Sequence, residues 1–261
     1  MLRAFSTAAT GMTGQQMMVD VIANNLANVN TTGFKRSQIN FQDLLYVTMS
    51  EPGTEVASGI NSPSGTEIGS GVRAASTVKV FTLGELENTA RPLDIAIAGD
   101  GFLQVTMPSG DLRYTRDGSL QLNANGELVT TSGYAIEPAI SVPTDAVSVS
   151  IEKDGGVNVT DSSGTQSVVG TVQLTRFPNP SGLSNEGDNL LSETEASGTP
   201  TTGTPGENGF GTIQSGFLEK SNVQMVTELV NLITAQRAYE INSRAIRAGD
   251  DMLRTASQIV R

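Results

Sequence analysis

The chain of 261 residues contains no cysteine, no histidine and no tryptophan, and only 5% of it is aromatic. Zero cysteine means no disulfide framework, so pairing says nothing about the redox compartment. Missing both Cys and His, the chain lacks the commonest metal ligands and the commonest general base. Any metal site would have to be built from oxygen ligands, and the usual nucleophile–base constellations have no members. The expectation is no catalytic residue, no metal, no cofactor and no small-molecule substrate. Positive charge is scarce, with 16 Lys+Arg against 27 Asp+Glu and a formal net charge of −11. Phosphate binding needs clustered Lys and Arg, so nucleic acid is excluded as an expected partner. No run approaches the ~18 apolar residues of a membrane span. The start, MLRAFSTAATGMTGQQ, carries no apolar core of a secretory signal. The chain therefore reads as soluble, and as leaving the cytoplasm, if it does, without signal cleavage.

What is present begins with an amphipathic helix. Leu2, Phe5, Ala9, Met12, Gln16, Val19, Ala23 and Leu26 recur three and four apart, a heptad-like seam. Gln16 is its polar member, of the kind that fixes register at some cost in stability. Asn24, Asn25, Asn28 and Asn30 then crowd the end; asparagine favours turns, so the helix should stop near Asn28–Asn30 and break at Gly33. Phe41, Leu44, Leu45 and Tyr46 suggest one or two helical turns. A Gly/Ser/Pro/Thr-rich tract of about residues 46–71 follows, either a flexible loop or an extended arm ordered against a neighbouring subunit.

From Arg73 the period becomes two. Val78, Val80 and Leu83 alternate with polar residues, as do Leu93, Ile95 and Ile97, and Gly99-Asp100-Gly101 turns the chain into Phe102–Val105. Leu120 and Leu122, then Asn125-Gly126, then Leu128 and Val129 predict a hairpin with a type I′ turn. Val147, Val149 and Ile151 face Val157 and Val159 across Asp154-Gly155-Gly156, a second hairpin, and Val172, Leu174 and Phe177 make a late strand. Near Ser221 the helical period returns. Met225, Leu229, Leu232, Gln236, Tyr239, Ser243, Ile246, Asp250, Leu253, Ser257 and Val260 keep three/four spacing, with Ser221 or Asn222 as the expected N-cap. About 38 residues of pattern would make a helix about 57 Å long, the length of a coiled-coil or bundle element.

The expected fold class is therefore α+β. Residues 1–30 with 222–261 form a terminal helical domain, paired and coiled-coil-like. Residues 31–92 connect it, through the arm at about 46–71, to a mainly β domain of short antiparallel strands at 93–221. Charge follows the same division: residues 1–30 are neutral, 222–261 carry net +1, and the middle carries −12. Two nearly neutral amphipathic ends suit either a helical hairpin closing a globular protein or helices buried in an assembly, since exposed apolar faces mark association sites. The residues expected at that interface are Leu2, Phe5, Met12, Gln16, Val19, Leu26, Leu229, Leu232, Gln236, Tyr239, Ile246 and Leu253. Gly99-Asp100-Gly101 precedes a strand and lacks a third glycine, so it is a turn and no dinucleotide fingerprint. Asp117-Gly118 and Asn123–Glu127 lack spaced calcium ligands. Nothing sets Asp111, Asp117 or Glu127 across a cleft as a glycosidase pair.

The N-terminal run GMTGQQMMVDVIANNLANVNTTGFKR resembles the shared N-terminal motif of the flagellar rod and hook protein family, and SNVQMVTELVNLITAQRAYEINSRAIRAGDDML resembles its C-terminal motif. FQDLLY, the Gly/Ser-rich extension, LDIAIAGDGFLQV and YTRDGS are most similar to the distal rod members. The resemblance covers essentially the whole chain. It implies a structural subunit of the flagellar basal body, self-assembling helically into a hollow drive shaft that transmits torque to the hook and carries the export channel. The partners it implies are copies of the chain itself, the proximal rod proteins, the hook protein, the P-ring and L-ring proteins and the flagellar type III export apparatus. The location it implies spans the periplasm to the outer membrane. The alternatives are a proximal rod or hook-family protein and, in a different class, a peptidoglycan-binding or wall-active module.

Overall fold

The computed structural model describes residues 2–53, 55–57, 60–61 and 63–259. Helix α1 runs Leu2–Ala27 and helix α2 runs Met225–Ile259; between them lie many short strands, an α+β chain. The chain divides into two compact units. One takes in the residues up to Leu26, Ser37–Val78 and the chain from Met225 on; the other is Ala27–Arg36 with Lys79–Gln224.

In the first unit α1 and α2 meet through small residues. A Cβ added at Gly11 would fall 2.9 Å from Asn242 Nδ2, and one at Gly249 would fall 2.8 Å from the Phe5 ring. The pairs 5/249 and 11/242 run in opposite senses, so the helices are antiparallel. The side of α2 turned inward carries Glu228, Ala235 and Gly249, all buried, with Asn231, Ala238 and Asn242 half-buried beside them. Leu44–Tyr46 do not form helical turns. Ser37–Asp43 is a strand, with Ile39 and Phe41 alternating with polar residues at period two, and Tyr46–Ser50 is a second, exposed strand. Ser37–Asp43 pairs with Val72–Lys79, Tyr46–Ser50 with Thr66–Gly69 and Glu55–Ala57 with Ile60–Asn61, so the described part of the Gly/Ser-rich tract is a two-stranded ribbon. Phe41 lies against α1 at Gly14, where an added Cβ would be 3.2 Å from its ring.

The second unit holds a nine-stranded sheet. Its main path is Leu120–Leu122, Leu128–Thr130, Ala135–Glu137, Phe102–Thr106, Leu112–Thr115, Leu190–Ser192 and Ser184–Gly187, and Leu174–Arg176 joins Phe102–Thr106 to Thr201–Gly203. Both faces of the central strand are covered. Leu103 and Val105 enter a core with Ile95, Ile97, Leu128, Ile136, Leu174 and Ile213. Phe102 points the other way into a cluster with Tyr114, Phe177, Leu183 and Leu191. Its rings meet edge to face, Tyr114 and Phe177 at 4.7 Å and Phe81 and Phe102 at 5.4 Å between centroids, a geometry that adds about 0.5–1.5 kcal/mol per pair beyond area burial. Two-sided burial explains why FLQV reads as a nearly unbroken apolar run. Ala146–Ile151, Gly156–Asp161 and Gln166–Thr171 form a separate three-stranded meander.

The Asn125-Gly126 hairpin forms with Leu120 opposite Thr130 and Leu122 opposite Leu128. Its turn is not type I′, for only Gly126 takes a positive φ, of 80°. The Asn123 side-chain oxygen accepts from the Asn125 and Glu127 amides at 2.9 Å each. That side-chain cap holds the chain in a longer turn with a single left-handed residue, a three-to-five-residue hairpin loop.

Candidate assembly surface and a buried charge junction

No catalytic arrangement emerges among the described residues, and no group of three or more Asp or Glu there is placed to hold a metal ion. Asp117 and Glu127 are occupied locally. Asp117 Oδ1 accepts from Thr32 Oγ1 at 2.9 Å and from Ser119 N and Oγ, and Glu127 Oε2 accepts from Asn123 Nδ2 at 2.7 Å. Two other features stand out: an apolar surface on the first unit and a buried set of charges in the second.

On α2, Met225, Val226, Leu229, Val230 and Ile233 are exposed, Val226 to 75%. Successive residues turn 100° about a helix axis, which puts Val226, Leu229, Val230 and Ile233 on the side opposite Glu228 and Ala235. The first turns of α2 are thus apolar on a face that nothing in the unit covers. Farther along, the same side carries Arg237, Glu240, Arg244, Arg247 and Asp251. The ribbon shows the same property: Leu45 is 88% exposed and Met49 68%, with Tyr46, Val47 and Ile68 beside them. Contiguous apolar surface of this kind marks an association site.

Of the interface residues expected from the sequence, Phe5, Met12, Val19 and Leu26 are half-buried on α1 and Gln16 is exposed. On α2, Leu232 and Ile246 are half-buried, whereas Leu229, Gln236, Tyr239 and Leu253 are exposed. The side chain of Leu2 and residue Val260 lie outside the described residues. Phe5 meets Gly249. The most buried residues of α1, Gly14, Ile22 and Asn25, lie off the heptad seam. Gly14 and Asn25 carry no apolar signal, since Gly14 is buried by Phe41 and Asn25 by its bonds to Ser37, and Ile22 falls between the positions of the three/four seam.

Asparagines at the ends of the helical segments act as backbone clamps. Asn25, 1% exposed, donates from Nδ2 to the Ser37 carbonyl and accepts from the Ser37 amide, both at 2.8 Å. Asn222 accepts from the Arg36 amide at 2.7 Å and donates to the Val80 carbonyl at 2.8 Å. Neither Ser221 nor Asn222 caps α2, which begins at Met225; the side chain of Asn222 is engaged with the β unit instead.

Beside Asn222 lies the charge junction. Glu219 is 1% exposed and Lys35 2%. Glu219 Oε1 accepts from Lys35 Nζ and, at 2.8 Å, from the Gly84 amide; Oε2 accepts from Arg116 at 3.1 Å. Lys35 also donates to the Thr82 carbonyl at 2.7 Å, and Arg116 to the Gly99 carbonyl while lying over the Phe102 ring. Burial pulls the Lys35 ammonium below its ordinary value; Glu219 opposes that pull and Arg116 adds to it. Gly33 makes the approach possible. Its φ is 67°, its amide donates to the Glu219 carbonyl at 2.8 Å, and a Cβ there would lie 2.7 Å from the Arg116 backbone. The sequence showed Lys35 only as part of a terminal motif and Arg116 only within the run YTRDGS. Nothing local pointed to Glu219.

Comparison with known proteins now gives the class. The profile described as Flagella basal body rod protein matches residues 5–35, that of the Flagellar hook protein FlgE/F/G D1 domain matches 96–159, and that of the Flagellar basal body rod FlgEFG protein C-terminal matches 214–259. These segments are α1 with the Gly33–Lys35 turn, the heart of the β unit, and the return through Glu219 into α2. They define a structural protein of the flagellar rod and hook class. The flagellar basal-body rod protein FlgG of Buchnera aphidicola subsp. Schizaphis graminum is 48% identical over 99% of this chain and all of its own length. The FlgG proteins of Borreliella burgdorferi and Caulobacter vibrioides are each 45% identical over at least 99% of both chains. The chain belongs to the FlgG family of flagellar basal-body rod proteins, structural components of the flagellum that serve motility.

Proposed function

We propose that this chain is the subunit of the distal rod. Copies assemble helically, through α1, α2 and the ribbon, into a hollow shaft that carries torque to the hook and encloses the export channel. The uncovered apolar face of α2, on a unit with few buried apolar side chains of its own, is the observation that carries this reading. Burying Val226, Leu229, Val230 and Ile233 against neighbouring copies would contribute about 1.5–3 kcal/mol per side chain, repeated in every subunit. The ribbon, with Leu45, Tyr46 and Met49 on its surface, bridges adjacent subunits and stiffens the tube. The residues offered for the interface remain Leu2, Phe5, Met12, Gln16, Val19, Leu26, Leu229, Leu232, Gln236, Tyr239, Ile246 and Leu253. The shaft continues the proximal rod proteins, meets the hook protein above, and turns within the P-ring and L-ring proteins from the periplasm to the outer membrane. Subunits reach it through the flagellar type III export apparatus with no cleaved signal peptide. Electron microscopy of the purified protein at rising concentration tests the core of this reading. Hollow tubes of uniform diameter are expected; a protein that stays monomeric at every concentration overturns helical self-assembly.

A further inference from the structure

The Lys35–Glu219–Arg116 junction raises a question that assembly does not answer. The strand Phe217–Glu219 is three residues long and pairs antiparallel with Leu86–Asn88, with Leu86 opposite Glu219 and Asn88 opposite Phe217. Side chains on a strand alternate with period two, so a slip by two residues returns every side chain to the same face. Apolar burial does not oppose such a slip here. Phe217 and Leu218 are only half-buried, and the one fully buried side chain of the strand is the carboxylate of Glu219. Just before the strand, Gly216, with φ 79°, ends the pairing with Ile95–Ala98 by donating to the Asp94 carbonyl at 2.7 Å and begins the pairing with Leu86–Asn88 by accepting from the Thr89 amide at 2.9 Å, a backbone bond that a slip of Leu86–Asn88 replaces with another.

We infer that the buried charges are positioning residues that select the register of this strand. Only one register brings a carboxylate between Lys35, Arg116 and the Gly84 amide. A slip by two puts Phe217 or Ser221 there and leaves two buried cations without their counter-charge, a costly state. The selection comes from segments distant in sequence: 184 residues separate Lys35 from Glu219 and 103 separate Arg116 from it. The turn after α1 thereby fixes where the chain leaves the sheet for the segment leading to α2. Gly84, where a Cβ would lie 2.0 Å from the Lys220 carbonyl, permits the close approach but excludes no other register by itself. Buried ion sets contribute little net stability beside well-packed apolar residues of similar volume, yet in some systems they specify a unique arrangement; this set has that second character.

Because the chain contains no cysteine, engineered cysteine pairs report register directly in the full-length protein, independently of any assembly. Asn88→Cys with Phe217→Cys reports the native register, since those residues face each other. Leu86→Cys with Phe217→Cys reports the two-residue slip, being a diagonal pair in the native ladder and too distant to bridge there. With Lys35, Arg116 and Glu219 intact, only the first pair should cross-link under mild oxidation. With Lys35→Met, Arg116→Met and Glu219→Leu combined, the protein should keep its strand content by circular dichroism, and the slip pair should rise from background to a fraction comparable with the native pair. Cross-linking that stays confined to the native pair in the triple variant overturns the inference. So does failure of the triple variant to fold, for the junction would then supply stability and not register. Lys35→Arg, which keeps the charge, should leave the slip pair at background.

Discussion

The two units of this chain solve the problem of apolar surface in opposite ways. The β unit closes on itself, with fifteen residues in its main core and an aromatic cluster on the other side of the sheet. The helical unit has few such residues: among the described residues Ile22 and Ala235 are its buried apolar side chains, and fifteen of the twenty large exposed ones belong to it. Polar pairing divides the same way. The β unit contains a buried three-charge junction, whereas the ion pairs of α2, Arg244 with Glu240 and Arg254 with Asp250, are exposed helix-surface pairs worth about 0.3–0.5 kcal/mol each. One unit covers most of its large apolar side chains; the other leaves most of its own exposed, the distribution expected of the assembly proposed above.

Severing the two units gives the largest expected effect. Removing residues 1–26 or 230–261 should leave a folded β unit with a cooperative thermal transition and no tubes by electron microscopy; a truncated chain that still polymerises breaks the comparison. Next comes Glu219→Leu, which strands Lys35 and Arg116 in the interior and should cost about 3–5 kcal/mol, the range for removing one partner of a buried charge set, measured by urea denaturation. Leu103→Ala, at a fully buried position of the central strand, should cost about 2–5 kcal/mol by the same measurement. Val230→Asp on the exposed side of α2 should change the monomer's stability by no more than about 0.5 kcal/mol yet raise the concentration needed for assembly at least tenfold. An equal loss of monomer stability would mean that this face is already covered.

The smallest effect is a titration. Burial, reinforced by Glu193, pushes the Tyr114 hydroxyl up to about 12 from 10. Because the folded value is raised, the folded state holds this proton more tightly than the unfolded chain does. The contribution is fully present below pH 10 and is lost as pH rises from 10 to about 12. Tyr114→Phe keeps the edge-to-face ring contacts and should flatten the fall in melting temperature across that window; an unchanged alkaline slope would assign the loss to other groups.

Much of this was legible before any coordinates. Hairpins at Asn125-Gly126 and Asp154-Gly155-Gly156 followed from alternation and turn chemistry, and the terminal helices from three/four spacing. Phe41, Leu44 and Leu45 are close to helical spacing, which hides the strand Ser37–Asp43, where Ile39 and Phe41 set the true period of two. The type I′ turn failed because one side chain, Asn123, rewrote the local hydrogen bonding.

By itself the sequence determined the class of most elements, the family of the chain and the low net charge of its ends, because periodicity, turn residues and end motifs are local properties. Only the tertiary structure decided which face of each helix is covered and which acid meets which base. The first depends on glycines that bring two helices together without any apolar signal. The second depends on Glu219 returning to Lys35 across 184 residues, a pairing that no local pattern encodes.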